Sequence, residues 1–198
     1  MGDALESIYG EAKKNDGLIT TKEIENLGIA KYKIKEYVDE GLLIRESKGI
    51  YSIAKEMPDE YVVLQKRSHK AVYSYGTALF FHGLSDRVPR IIDMTLPQGY
   101  NASRLKKANP YLRIHYVQPA VLELGAEDIK TPQGSMVRAY NRERCICDLI
   151  KNQKKVDKQV FTQAIKVYFS EPYNPRNTIK MAKVIGVETE VRKYMEVL

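Results

Sequence analysis

Cysteine is scarce in this 198-residue chain, and the two that occur sit together at Cys145 and Cys147. On a helix, residues two apart point roughly 200° apart, so they cannot pair with each other. A lone C-x-C is also too few ligands for a structural zinc site. A reducing cytoplasm is the compartment this usage suggests. No run approaches the ~20 apolar residues of a membrane span. The start, Met1-Gly2-Asp3-Ala4-Leu5-Glu6, is acidic and lacks the apolar core of a signal peptide. Histidine is limited to His69, His82 and His115, which are scattered. There is no P-loop and no dinucleotide-binding glycine pattern. A nucleotidyltransferase needs a Gly-Ser or Gly-Thr turn followed by paired carboxylates for metal ions. Gly76-Thr77 and Asp93 echo that pattern faintly, but Thr95 stands where the second acid belongs. No catalytic residue, metal site or cofactor is therefore expected. His82 reads as a hydrogen-bonded structural residue, and Arg144 with Asp148, at i and i+4, as an ordinary surface ion pair.

What is present is a soluble, globular composition, 43% hydrophobic and 29% charged, with a formal net charge of +7. Repeats and low-complexity tracts are missing. The most organised stretch is Thr20 to Ile53. Thr20 and Glu23 form a capping box, Ile24 and Leu27 follow at helical spacing, and Gly28 closes the short helix. A second helix runs from about Ala30 to Glu40, with Ala30, Ile34, Tyr37 and Val38 on its apolar side and Gly41 after it. Residues 42–46 and 50–53 flank Ser47-Lys48-Gly49 as a hairpin. A helix over residues 3–14 precedes this set, and Leu18-Ile19 can pair with the hairpin as a third strand. The order is that of a winged helix-turn-helix.

In the second helix Lys31, Tyr32, Lys33 and Lys35 lie away from the apolar side in the N-terminal half. Glu36, Asp39 and Glu40 fill the C-terminal half. Such a helix should approach DNA with its first turns, while Arg45 and Lys48 on the hairpin reach phosphates. Three lysines on an exposed face are by themselves only a solvated surface. It is the ordered set of capped helix, glycine turn, basic helix and glycine-tipped hairpin that points to DNA. Residues 1–55 hold nine Lys/Arg and ten Asp/Glu, a net −1, so the remaining residues carry +8.

The expected boundary is a linker over residues 54–60, where apolar spacing lapses and Pro58 intervenes. This gives a DNA-binding domain over 1–55 and a second domain over 56–198. In the second, helices are expected at 61–66 and 75–82, and strands at 90–96, 112–117 and 136–140. A basic helical insert around Arg104-Leu105-Lys106-Lys107 lies between the first two strands. The final third reads as helices over 144–151, 158–169, 174–186 and onward from Val187 to Leu198, the last burying Val187, Val191, Tyr194, Met195 and Leu198. The fold class is α+β: a winged helix-turn-helix followed by a mixed α/β domain ending in a helical bundle. The excess charge places a candidate basic surface, for flanking DNA or for antitoxicity, among Lys66, Arg67, Lys70, Arg87, Arg90, Arg104, Lys106, Lys107, Arg138, Arg142 and Arg144, with scattered solvation the simpler alternative.

Several segments carry a resemblance. These are Tyr73-Ser74-Tyr75-Gly76-Thr77-Ala78-Leu79-Phe80-Phe81-His82-Gly83-Leu84-Ser85-Asp86, Thr95-Leu96-Pro97-Gln98-Gly99-Tyr100-Asn101, Arg142-Glu143-Arg144-Cys145-Ile146-Cys147-Asp148-Leu149-Ile150 and the wing strand Lys48-Gly49-Ile50-Tyr51. Together they resemble the AbiEi antitoxin family over nearly the whole chain. Cys145 departs from it, since the family more often has Thr after Glu-Arg. The resemblance implies an antitoxin of a bacterial type IV toxin–antitoxin system linked to abortive infection by phage. It implies a nucleotidyltransferase-like toxin as functional partner, and a winged helix that represses the shared promoter at inverted repeats. The C-terminal domain would carry the antitoxin activity. The competing expectation is an interaction module that neutralises an acidic protein by direct contact without being a sequence-specific repressor.

Overall fold

The computed structural model describes residues 2–54 and 57–197. The expected boundary at 55/56 and the expected burial of Leu198 therefore lie outside the described residues. The chain divides into two compact units, Met1–His69 with Gln133–Ser135, and Lys70–Pro132 with Met136–Leu198.

The first unit contains α1 (Gly2–Lys14), β1 (Leu18–Thr20), α2 (Thr21–Asn26), α3 (Lys31–Asp39), β2 (Leu43–Ser47), β3 (Ile50–Ile53) and α4 (Glu60–Arg67). Its sheet has the order β1-β3-β2, antiparallel throughout. Both capping-box bonds at the start of α2 form: the Glu23 amide donates to Thr20 Oγ1 at 3.2 Å and the Thr20 amide to Glu23 Oε2 at 2.6 Å. Two of the orphan amides of a helix start are thereby satisfied, so a six-residue helix holds its place. Gly41, at φ +70°, turns the chain out of α3, and its amide and that of Leu42 return to Val38 and Tyr37 carbonyls. The hairpin tip is tied back to α2 by a bond from the Thr21 amide to the Gly49 carbonyl at 3.0 Å. Ile8, Ala12, Ile19, Ile24, Ile34, Tyr37, Leu43 and Ile53 form the core beneath. Burying a side chain such as Ile34 contributes about 1.5–3 kcal/mol, and that burial fixes which side of α3 is left outward.

The second unit runs β4 (Val72–Tyr73), α5 (Tyr75–Phe81), β5 (Ile92–Pro97), α6 (Ser103–Ala108), β6 (Leu112–Val117), α7 (Pro119–Leu122), β7 (Ala126–Lys130), β8 (Met136–Tyr140), α8 (Arg142–Lys151), a single 3-10 turn (Gln153–Lys155), α9 (Lys158–Ser170), α10 (Pro175–Ile185) and α11 (Glu188–Val197). The five-stranded sheet has the order β6-β5-β4-β8-β7 and is mixed: β5 is parallel to β6 and β4 to β8, while the other pairs are antiparallel. Helical ends follow their local chemistry. Asn141 caps α8, Asp157 caps α9, Asn174 caps α10 with Pro175 next, and Gly186 closes α10 at φ +82°. β4, α7 and β7 have no counterpart among the elements expected from sequence. Cys145 and Cys147 are both free and buried.

One expectation is overturned here. Arg144 and Asp148 are not a surface pair: they are 1% and 6% exposed. Arg144 Nε donates to Asp148 Oδ2 at 2.9 Å, its Nη1 donates to the carbonyls of Val121 and Leu124, and its guanidinium lies 4.2 Å from the Tyr140 ring centre. The cause is the position of α8: every residue from Arg144 to Ile150 is buried, so a charge at any of these positions must find partners inside.

Candidate nucleic-acid interface and a basic cleft

In the first unit, packing of Ile34 and Tyr37 leaves Lys31, Tyr32 and Lys35 exposed and Lys33 half-buried along the start of α3. Tyr32 is 65% exposed, unusual for so large a ring. Arg45 on β2 and Lys48 at the hairpin tip are exposed as well. None of these five cations makes an ion pair among the described residues. Ala30, before the helix, provides no side-chain cap, and the first turn holds no acid. Uncapped amides and the positive end of the helix dipole therefore add to the lysines. That absence of a cap is a signal visible in the sequence but not part of the expectation drawn from it.

The second unit treats its cations differently. Arg87 contacts Asp157 at 3.7 Å and Gln159 at 3.0 Å, Arg138 pairs with Glu123, and Arg142 with Glu171 at 2.6 Å. Arg144 is interior and belongs to no surface. Lys70, Arg90, Arg104, Lys106 and Lys107 are exposed, the last three on α6. Lys66 and Arg67 fall on α4, within the first unit.

Sequence reasoning missed a cleft in this unit. Asp93 on β5 is buried, and the parallel register sets it beside Arg113, with Thr95 beside His115, on β6. Arg113 Nε and Nη2 donate to the two Asp93 oxygens at 2.6 and 3.0 Å, and His115 Nε2 lies 2.7 Å from Oδ1. Burial pushes the Asp93 carboxyl up, but the bonds from His115 and Arg113 outweigh it and hold the group below the usual carboxylate range. Thr95, at the place of a second acid, donates to Ser74 Oγ at 2.9 Å. The Asp93 amide donates to Thr77 Oγ1 at 2.9 Å. The Gly-Thr turn and Asp93 thus do meet, yet both carboxylate oxygens are already taken by Arg113 and His115. His82 is a structural residue as expected: its Nε2 donates to the Tyr140 carbonyl at 2.8 Å, and burial lowers its pKa. Burial also pushes the Cys147 thiol up to about 12 and Cys145 well above its usual value, so neither is a poised nucleophile.

Residues 10–54 match the family described as transcriptional regulator, AbiEi antitoxin. That span holds α2, α3 and the hairpin, and the family is one of regulators, not of enzymes. The AbiEi match thus covers the segment that carries Lys31, Lys33, Lys35, Arg45 and Lys48. The fold of the chain is similar to that of the RV2827C protein from Mycobacterium tuberculosis in its crystal structure. The TM-score is 0.63 at 12% identity, over 99% of this chain and 82% of that one. No curated protein matches the sequence. Among the described residues, no helix is long and apolar enough to cross a membrane.

Proposed function

We propose that this protein is a cytoplasmic antitoxin of a type IV system that represses its own promoter through α3 and the β2–β3 wing. One observation carries the reading: in a segment of net charge near zero, Lys31, Lys33, Lys35, Arg45 and Lys48, none in an ion pair among the described residues, lie along the start of α3 and on the hairpin, beside a helix end without cap or acid. In this reading Lys31, Tyr32, Lys33 and Lys35 enter the major groove, and Arg45 and Lys48 hold the flanking phosphates. The target is double-stranded promoter DNA with inverted repeats. The functional partner is a nucleotidyltransferase-like toxin, counteracted by the second unit. The exposed α6 cluster Arg104, Lys106 and Lys107 is its best candidate surface, because no ion pair among the described residues engages it.

The test is binding of the full chain to the DNA upstream of its own gene. Lys35→Glu should weaken it by about 1–3 kcal/mol, the worth of a good base contact. Unchanged affinity in a folded Lys35→Glu protein removes α3 from the interface. Charge reversal at Arg104, Lys106 and Lys107 should impair toxin neutralisation and leave promoter binding intact. Full neutralisation by that variant removes the α6 cluster from the antitoxin role.

A further inference from the structure

We propose that the cleft of the second unit binds a nucleoside phosphate without a divalent metal ion. The cleft has a volume of about 510 Å³ and adjoins a recess of about 710 Å³, the two sharing Gly76, Arg113 and Val160 as walls. Small-molecule sites commonly occupy 300–1,000 Å³, so a mononucleotide fits in scale. Charge is in excess on the positive side. Of the two acids in the walls, Asp93 is saturated by Arg113 and His115, and Asp157 caps α9 through the amides of Gln159 and Val160 while contacting Arg87. Lys155 in the cleft and Arg90 in the recess make no ion pair among the described residues. Arg113, pinned through one edge to Asp93, keeps its side chain 57% exposed. Fixed guanidinium groups and free ammonium groups are the donors that phosphate oxygens take.

The rest of the lining suits a base. Tyr75 lies on His115 with ring centres 4.0 Å apart, and Leu79, Leu149, Val156 and Val160 supply apolar wall. Tyr75 sits in the left-handed region at φ +44°, a backbone strain that glycine would relieve. Its ring is held at the cleft at that cost. Metal-dependent nucleotide sites need free carboxylate oxygens. Here Asp93 offers none, Asp157 is engaged by the α9 amides and Arg87, and Thr95 is hydrogen-bonded to Ser74, so in this reading Arg113, Lys155 and Arg90 neutralise phosphate in place of metal ions.

The experiment is titration calorimetry of the full chain with ATP, GTP, CTP and UTP in EDTA, with adenosine and pyrophosphate as comparisons. At least one nucleotide should bind about tenfold or more tightly than either fragment. Lys155→Glu should weaken it about tenfold, while the same reversal at Lys166, exposed on α9, leaves it unchanged. Tyr75→Gly keeps the backbone and removes the ring, so it should weaken nucleotide but not pyrophosphate. No binding up to about 1 mM, binding only after magnesium is added, pyrophosphate binding as tightly as every nucleotide, or wild-type affinity in both variants would each overturn the proposal.

Discussion

Each unit holds a set of five cations, and the two sets are used in opposite ways. In the first, Lys31, Lys33, Lys35, Arg45 and Lys48 make no ion pair among the described residues. In the second, Arg87, Arg113, Arg138, Arg142 and Arg144 each hold a carboxylate. Net charge points the other way, since the excess lies beyond residue 55. What a cation can do for a polyanion depends on whether a neighbour has already claimed it, and composition does not record that.

The contrast is sharpest between Arg144 and Lys35. Arg144→Ala should cost about 3–5 kcal/mol of stability, because it leaves Asp148 buried and unpaired. Lys35→Ala should stay within about 0.5 kcal/mol. Denaturant unfolding of both variants measures the difference, and a loss below 1 kcal/mol (about a third of the expected minimum) for Arg144→Ala would place that pair in water.

A smaller effect should come from pH. Asp93 titrates below its ordinary value, so the unfolded chain takes up the proton first. Its contribution is therefore present above the ordinary carboxylate range and lost as pH falls through the depressed folded value. Asp148 has the opposite sign, since burial raises it despite Arg144, and it favours the folded state on acidification. Stability followed from pH 7 down to about pH 2 should show a falling acid arm that Asp93→Asn flattens. An unchanged arm in that variant would mean the Arg113–His115 cluster does not couple to folding.

Most of the architecture was legible because local signals agreed with one another. Thr20 and Glu23 formed the capping box their spacing implied, Leu18–Thr20 joined the hairpin, and Asn174-Pro175 and Gly186 bounded α10. The missing pieces had weak local signals. β4 is two residues long, α7 is four, and β7 reads Ala126-Glu127-Asp128-Ile129-Lys130, too charged to show as a strand until β8 pairs with it. An i,i+4 ion pair looks the same on a surface or in a core. The available clue was that Cys145, Ile146, Cys147, Leu149 and Ile150 surround α8 with apolar groups, as on a buried helix. The cleft was invisible because Asp93 and Arg113 meet only through the β5–β6 register.

The smallest predicted single change is at the wing. Lys48→Ala should weaken specific and nonspecific DNA binding about equally and reduce the salt slope by roughly one. Loss confined to one base pair, with the slope intact, would make the wing a sequence reader.

The most direct measurement is the salt dependence of promoter binding by the full chain, before and after Lys31, Lys33, Lys35 and Lys48 are all changed to Ala. If these cations hold the DNA, affinity should fall at every salt concentration and the slope of log K against log salt should fall by at least about one, the share of the Lys48 phosphate contact, with folding unchanged. A slope that stays the same would show that phosphate contact lies elsewhere and would contradict the assignment of the first unit as the DNA-binding surface.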